Sequence, residues 1–160
     1  MEDIGKVFFF VVVIAAGCIA FFHFKATPHA SSDTEYIEYA LYNDINTMRK
    51  SSGLQPLEMD EGLTELAKIR AIEASKNWSH KRPNGQDGTS LIPGNSWKGE
   101  NLSYVEHARD ADTAVDVQFS DLCASTAHLG NMLLDVYTKV GIASYVDADG
   151  KITTAYLFTA

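Results

Sequence analysis

The chain has 160 residues, 46% of them apolar, and carries a formal net charge of −8. That length suits one domain with an appendage rather than two folded units. An acidic surface without a basic, aromatic-interleaved stripe argues against nucleic acid as a partner and leaves divalent cations or neutral ligands.

The apolar residues are unevenly placed. Val7 to Phe22 holds no polar side chain except Cys18, a run of 16 residues that His23 and Phe24 extend. It sits at the short end of the roughly 17–25 residues needed to span a bilayer. We read residues 1–25 as a retained membrane anchor or a signal peptide. Cleavage near Cys18-Ile19-Ala20 would leave Phe21, Phe22 and Phe24 at the new terminus, which favours retention. Ala15-Ala16-Gly17-Cys18 echoes a lipoprotein box, but the apolar residues that follow the cysteine do not suit one. Residues 26–32 read as a linker, and residues 33–160 as the folded domain. The expected membrane contact is residues 7–24. With Cys18 in the apolar run, Cys123 is the only thiol left to the domain, so no internal disulfide is available there.

Ser32-Asp33-Thr34-Glu35 has a capping-box pattern, and Ile37, Ala40, Leu41, Ile45 and Met48 follow at helical spacing as far as Gly53. Tyr36, Tyr39 and Tyr42 on this helix are expected to pack in or against the core. A second helix starts at Asp60 and runs to Asn77 with Leu63, Leu66, Ala67, Ala71 and Ala74 on one face. It delivers the chain to Trp78-Ser79-His80. Lys81 to Gly99, rich in Gly, Pro, Asn and Ser, is long enough to suggest a functional loop. A strand is expected over Asn101–Val105, a helix capped by Asp112 or Thr113 runs to Leu122, and a helical turn covers Thr126–Leu134. Lys139–Tyr145 and Ile152–Phe158 flank Asp147-Ala148-Asp149-Gly150 as a hairpin. The aspartates echo a calcium loop but lack its later ligands, so a turn is preferred. The sum is an α+β domain, helices on a small antiparallel sheet.

Six segments in this order carry a resemblance. They are Asn43-Asp44-Ile45-Asn46 with Arg49, Gly53-Leu54-Gln55-Pro56-Leu57, Ser79-His80-Lys81-Arg82-Pro83-Asn84-Gly85, Gly99-Glu100-Asn101-Leu102, Ala127-His128-Leu129-Gly130-Asn131-Met132-Leu133 and Val140-Gly141-Ile142. Together they resemble the CAP superfamily, also called SCP/TAPS, of cysteine-rich secretory, antigen 5 and plant pathogenesis-related proteins. Without disulfides the chain looks like a short bacterial secreted CAP domain. The glycosylation sequons Asn77-Trp78-Ser79 and Asn101-Leu102-Ser103 adjoin the site residues, which suits a source that does not glycosylate them. The resemblance implies an α-β-α sandwich with a small central antiparallel sheet, here preceded by a hydrophobic helix. It also implies a cleft of two histidines, His80 and His128, and two acids, Glu100 and Asp121. At Asp121 a shorter carboxylate stands where animal members more often have glutamate, and Gln118 replaces the usual aromatic.

In several members of the family the histidines bind zinc or another divalent ion, so the expected metal ligands are His80 and His128. Two imidazoles with open positions can hold an ion and lower the pKa of its water. If the site is catalytic, Glu100 is the candidate general base of a hydrolase acting on peptide or cell-envelope polymer; otherwise it orients a histidine as a hydrogen-bond partner. The function expected first is an extracytoplasmic, tethered binding module that takes a divalent cation, zinc above others, with a small-molecule, lipid or envelope ligand. A structural or adhesive module is the remaining alternative. Cys123 reads as a small buried hydrophobe rather than a nucleophile, Ser120 beside Asp121 as a solvent-facing serine, and His107 as a surface residue, with His23 juxtamembrane and His29 in the linker.

Overall fold

The computed structural model describes residues 30–160, and the apolar segment expected to anchor the chain lies outside them. Among the described residues no helix is long and apolar enough to cross a membrane. The order is helix α1 (Ala30–Ser51), strand β1 (Glu58–Met59), helix α2 (Glu61–Lys76), a 3-10 turn (Gly88–Leu91), strand β2 (Lys98–Val105), helices α3 (Ala111–Ala124) and α4 (Thr126–Met132), and strands β3 (Lys139–Val146) and β4 (Ile152–Thr159).

Strand order is β1-β3-β4-β2. The three long strands pair antiparallel, as the hairpin expected for β3 and β4 implies. The short β1 adds a parallel edge, pairing Glu58 with Lys139 and Met59 with Val140, so the sheet is mixed rather than wholly antiparallel. Two residues carry no readable period, and β1 exists because Asn46 on α1 holds its approach: Asn46 Nδ2 donates to Leu57 O at 3.0 Å and Leu57 N donates to Asn46 Oδ1 at 2.7 Å.

Alternation along the strands divides the core. Val140, Ile142, Tyr156 and Phe158 face one way and pack with Ile37, Leu41 and Ile45 of α1 and Leu122 of α3. Ala143, Ala155 and Leu157 face the other way and meet Leu63, Ala67, Ala71 and Ala74 of α2. The result is the expected three-layer α-β-α sandwich. Close packing of α2 depends on Gly141, where a Cβ would strike the backbone of Leu63 and Thr64.

Local chemistry sets the ends. Asp60 caps α2 by accepting from Leu63 N at 2.9 Å, and Asn77 ends it. The cap of α3 is Asp110, two residues before the expected Asp112, because Asp110 has extended backbone and accepts from Thr113 N at 2.8 Å. Hydrogen bonds from the Thr113 side chain and backbone hold the Asp110 carboxyl at about 2. Helix α1 already includes Ala30, the first described residue, so Ser32 is a residue of the helix itself. The buried Arg49 satisfies carbonyls at and past the end of α4: Nη1 donates to Met132 O at 2.8 Å and Leu134 O at 3.0 Å, and Nη2 to Tyr137 O at 3.1 Å. In the hairpin, Asp147 Oδ1 accepts from Asp149 N and Lys151 N, both at 3.0 Å, and Gly150 takes φ +84°. That carboxylate is closing a turn.

Candidate functional site

Helix α2 ends at the site, and the residue that organises it is Arg70. Its side chain is wholly buried on the sheet-facing side of α2. Nε donates to Glu100 Oε2 at 2.6 Å and Nη2 to Glu100 Oε1 at 3.2 Å, while Nη2 also reaches Ser79 O at 2.9 Å. Nη1 donates to Glu73 Oε2 at 2.7 Å, and Glu73 pairs in turn with Arg82 at 2.9 Å. One guanidinium therefore ties the helix, the segment leading to His80 and strand β2 together.

Glu100 lies near the start of β2 with a side chain only 4% exposed. Its Oε1 meets His80 Nδ1 at 2.8 Å. A carboxylate already engaged by arginine can only accept, so Nδ1 carries the proton and donates, and Nε2 keeps the lone pair of the neutral ring. His80 itself is 57% exposed. Its backbone is fixed as well, since Gly88 N donates to His80 O at 2.7 Å. Gly88 must be glycine because a Cβ there would collide with the Glu100 carboxylate and Arg70 Nε.

His128 comes from the short α4, and its ring centre stands 6.2 Å from that of His80, with the planes 57° apart. A chain of amides places it. Asn101 Nδ2 donates to His128 O at 3.0 Å, Asn131 Nδ2 to Asn101 Oδ1 at 3.0 Å, and Tyr137 OH to Asn131 Oδ1 at 3.1 Å. Gly99 leaves room for Tyr137 and Asn131 against the strand. Burial, and then the neighbouring His80, hold the His128 imidazole below the usual histidine value, which favours the neutral ring.

The fourth expected member, Asp121, is exposed near the end of α3. It shares with His128 an open cleft of about 480 Å³ whose walls include Trp78, Tyr104, Glu106 and Val117; His80 and Glu100 are not among the lining residues. His80 is thus bonded to Glu100 and faces His128 at 6.2 Å between ring centres, while Asp121 and His128 line one cleft. Gln118 is fully buried, its Oε1 accepting from Ser103 Oγ at 2.7 Å. Cys123 packs against the core with its thiol pushed up by burial and then by Asp44, so it is not poised as a thiolate. Tyr42 is half-buried and donates to Leu57 O at 3.0 Å, whereas Tyr36 and Tyr39 are exposed, contrary to the packing expected for all three.

Does the pair suit a metal ion? Rings sharing one ion through bonds of about 2.1 Å have centres about 5–6 Å apart, and 6.2 Å lies just beyond that range. The His128 ring is held below the usual histidine value, and Glu100 supplies the outer carboxylate that fixes a ligating histidine. Among the described residues no group of three or more His, Cys, Asp or Glu side chains is placed to hold an ion. Two imidazoles alone would leave any ion loosely held with open positions, not in a closed structural site.

The family model described as CAP, the cysteine-rich secretory protein family, matches residues 42–159. The chain belongs to that family. An outer surface protein of Borrelia burgdorferi has the same fold, with TM-score 0.67 and 21% identity over 78% of this chain and 92% of that protein. So do an extracellular SCP-domain protein of Bacillus anthracis, with TM-score 0.67 and 18% identity over 81% of this chain, and a cysteine-rich secretory protein of Staphylococcus aureus, with TM-score 0.60 and 21% identity over 79%. This chain spans 43% and 39% of those last two. Comparison with curated proteins gave no match.

Arg70 was not singled out from sequence, nor were Asn101 and Asn131 as the supports of His128. A signal for Arg70 exists: it stands three residues after Ala67 and four before Ala74, on the apolar face of α2.

Proposed function

We propose that this CAP domain is an extracytoplasmic module, tethered through residues 7–24, that binds a divalent cation between His80 and His128. The observation that carries the reading is the 2.8 Å bond from His80 Nδ1 to a carboxylate locked by Arg70, which leaves Nε2 as a fixed acceptor beside the neutral His128 ring. The ion would be held by His80 Nε2 and a ring nitrogen of His128. Zinc is the first candidate, because imidazole suits it. When bound, the ion supplies Lewis acidity toward an oxygen or nitrogen of a further ligand. An Ancylostoma-secreted protein of the same fold, TM-score 0.56 and 13% identity over 77% of this chain, has been solved manganese-bound.

Both oxygens of Glu100 are engaged, so its role here is to orient His80 and not to act as a general base. Binding rather than hydrolysis is accordingly the reading we favour. Calorimetric titration of the full chain in neutral detergent with zinc tests it, beside a His80→Ala/His128→Ala variant. Heat that saturates for the native chain and vanishes for the variant supports the site; equal heats from both contradict it.

A further inference from the structure

The cleft beside His128 has walls of a kind that the histidine pair does not use. Trp78 is 51% exposed and Tyr104 is 41% exposed, although each carries a large apolar ring that folding normally covers. The rings meet edge to face, with centres 4.8 Å apart and planes at 75°. They form a corner opening on a cleft of about 480 Å³. The charged side chains lining that cleft are Glu106 and Asp121, and no lysine or arginine is among them. Tyr104 already receives a cation from the protein itself, since Lys151 Nζ stands 6.0 Å from its ring centre and is not part of the cleft lining.

We propose that this cleft binds an organic cation, a quaternary ammonium or a basic peptide side chain, with Trp78 and Tyr104 as its aromatic corner and Glu106 and Asp121 as its counter-charges. A ring quadrupole attracts a cation to its face, and the attraction grows when two rings and a carboxylate act on one poorly hydrated group. A purely apolar ligand would leave both carboxylates desolvated without a partner, and an anion would be repelled by them. This site adjoins the proposed metal position, sharing the wall residue His128, but neither His80 nor Glu100 lines it.

The test uses the full chain in neutral detergent with a chelator present, so that the outcome does not depend on the metal reading. A Trp97→Phe background leaves Trp78 as the only tryptophan. Its fluorescence is followed against choline, N-acetyl-arginine amide, the uncharged choline isostere 3,3-dimethylbutan-1-ol and N-acetylglucosamine, at matched ionic strength. Saturation by either cation supports the proposal, and the tighter of the two names the source of the group. Glu106→Gln/Asp121→Asn, which changes two exposed side chains, should weaken that binding at least about fivefold while leaving the melting temperature close to native. An equal response to the uncharged isostere, saturation by the sugar alone, no saturation by any probe, or cation binding untouched by the double variant would overturn it.

Discussion

Arg70 grips Glu100 through both carboxylate oxygens, Nε to Oε2 at 2.6 Å and Nη2 to Oε1 at 3.2 Å, at a place where neither side chain is more than 4% exposed. A charge pair so buried matters less for its net contribution than for the loss when one member is removed. Arg70→Met strands Glu100 and frees the Ser79 carbonyl, and is expected to destabilise the domain by about 3–5 kcal/mol in urea unfolding. Adding Glu100→Leu should recover most of that loss, because no uncompensated charge then remains. Failure of the double variant to recover would mean that Arg70 acts mainly through Glu73 and Ser79.

Asn101 links the sheet to α4 through the His128 carbonyl and the Asn131 amide. Asn101→Ala leaves both without their partner and should lower stability by about 1–3 kcal/mol. Imidazole resonances of His128 should move while those of the Arg70 group stay in place, which separates positioning from general loss of fold.

Acidity should act on the two imidazole-bearing layers through His128. Its folded value is depressed, by burial first and His80 second. On acidification the unfolded chain therefore takes up its proton before the folded one does. The contribution of the neutral ring is complete above about 6.5, the ordinary histidine value, and is lost as pH falls through the depressed folded value. His128→Asn should flatten the stability profile in that window, and unchanged slopes in native and variant would contradict the assignment.

Glu38 gives the opposite sign. It lies on α1, accepts from Ser144 N at 2.7 Å, and burial raises its carboxyl above the usual range. The folded state then binds a proton first, so stability tied to this group increases as pH falls from the raised value toward the ordinary one. Glu38→Gln keeps an acceptor for Ser144 and removes the partly buried charge. The variant should be more stable than native at pH 7, with the difference shrinking on acidification.

How far the sequence foretold this molecule depends on which residues are asked about. Helix α2 was legible from Asp60 to Asn77 because a capping carboxylate and a continuous apolar face point to the same answer. The β3–β4 hairpin was legible for a similar reason, its β-formers flanking an Asp/Gly turn. At α3, Asp110, Asp112 and Thr113 are chemically equivalent caps, and only the path of the chain after β2 selects Asp110. Strand β1 is two residues long and owes its pairing to Asn46, a contact no local pattern records. In the site, His80, Glu100 and His128 were found by resemblance. Their partition into a carboxylate-locked ring and a cleft-lining ring was not, because it follows from Arg70, whose charge reads as surface until its place on the buried face is counted. Asp121 was expected beside the histidines and stands with His128 alone on the cleft wall.

Zinc binding as proposed needs Glu100 to fix the His80 tautomer, so that Nε2 and a ring nitrogen of His128 are both free to meet one ion. Long-range proton–nitrogen correlation spectra of the histidine side chains, recorded at pH 7.5 before and after adding zinc, read this directly. The account predicts a protonated Nδ1 on His80 without metal, and on zinc addition a concerted shift of His80 Nε2 and one ring nitrogen of His128. A proton on His80 Nε2, or a zinc response confined to one ring or to neither, would contradict it.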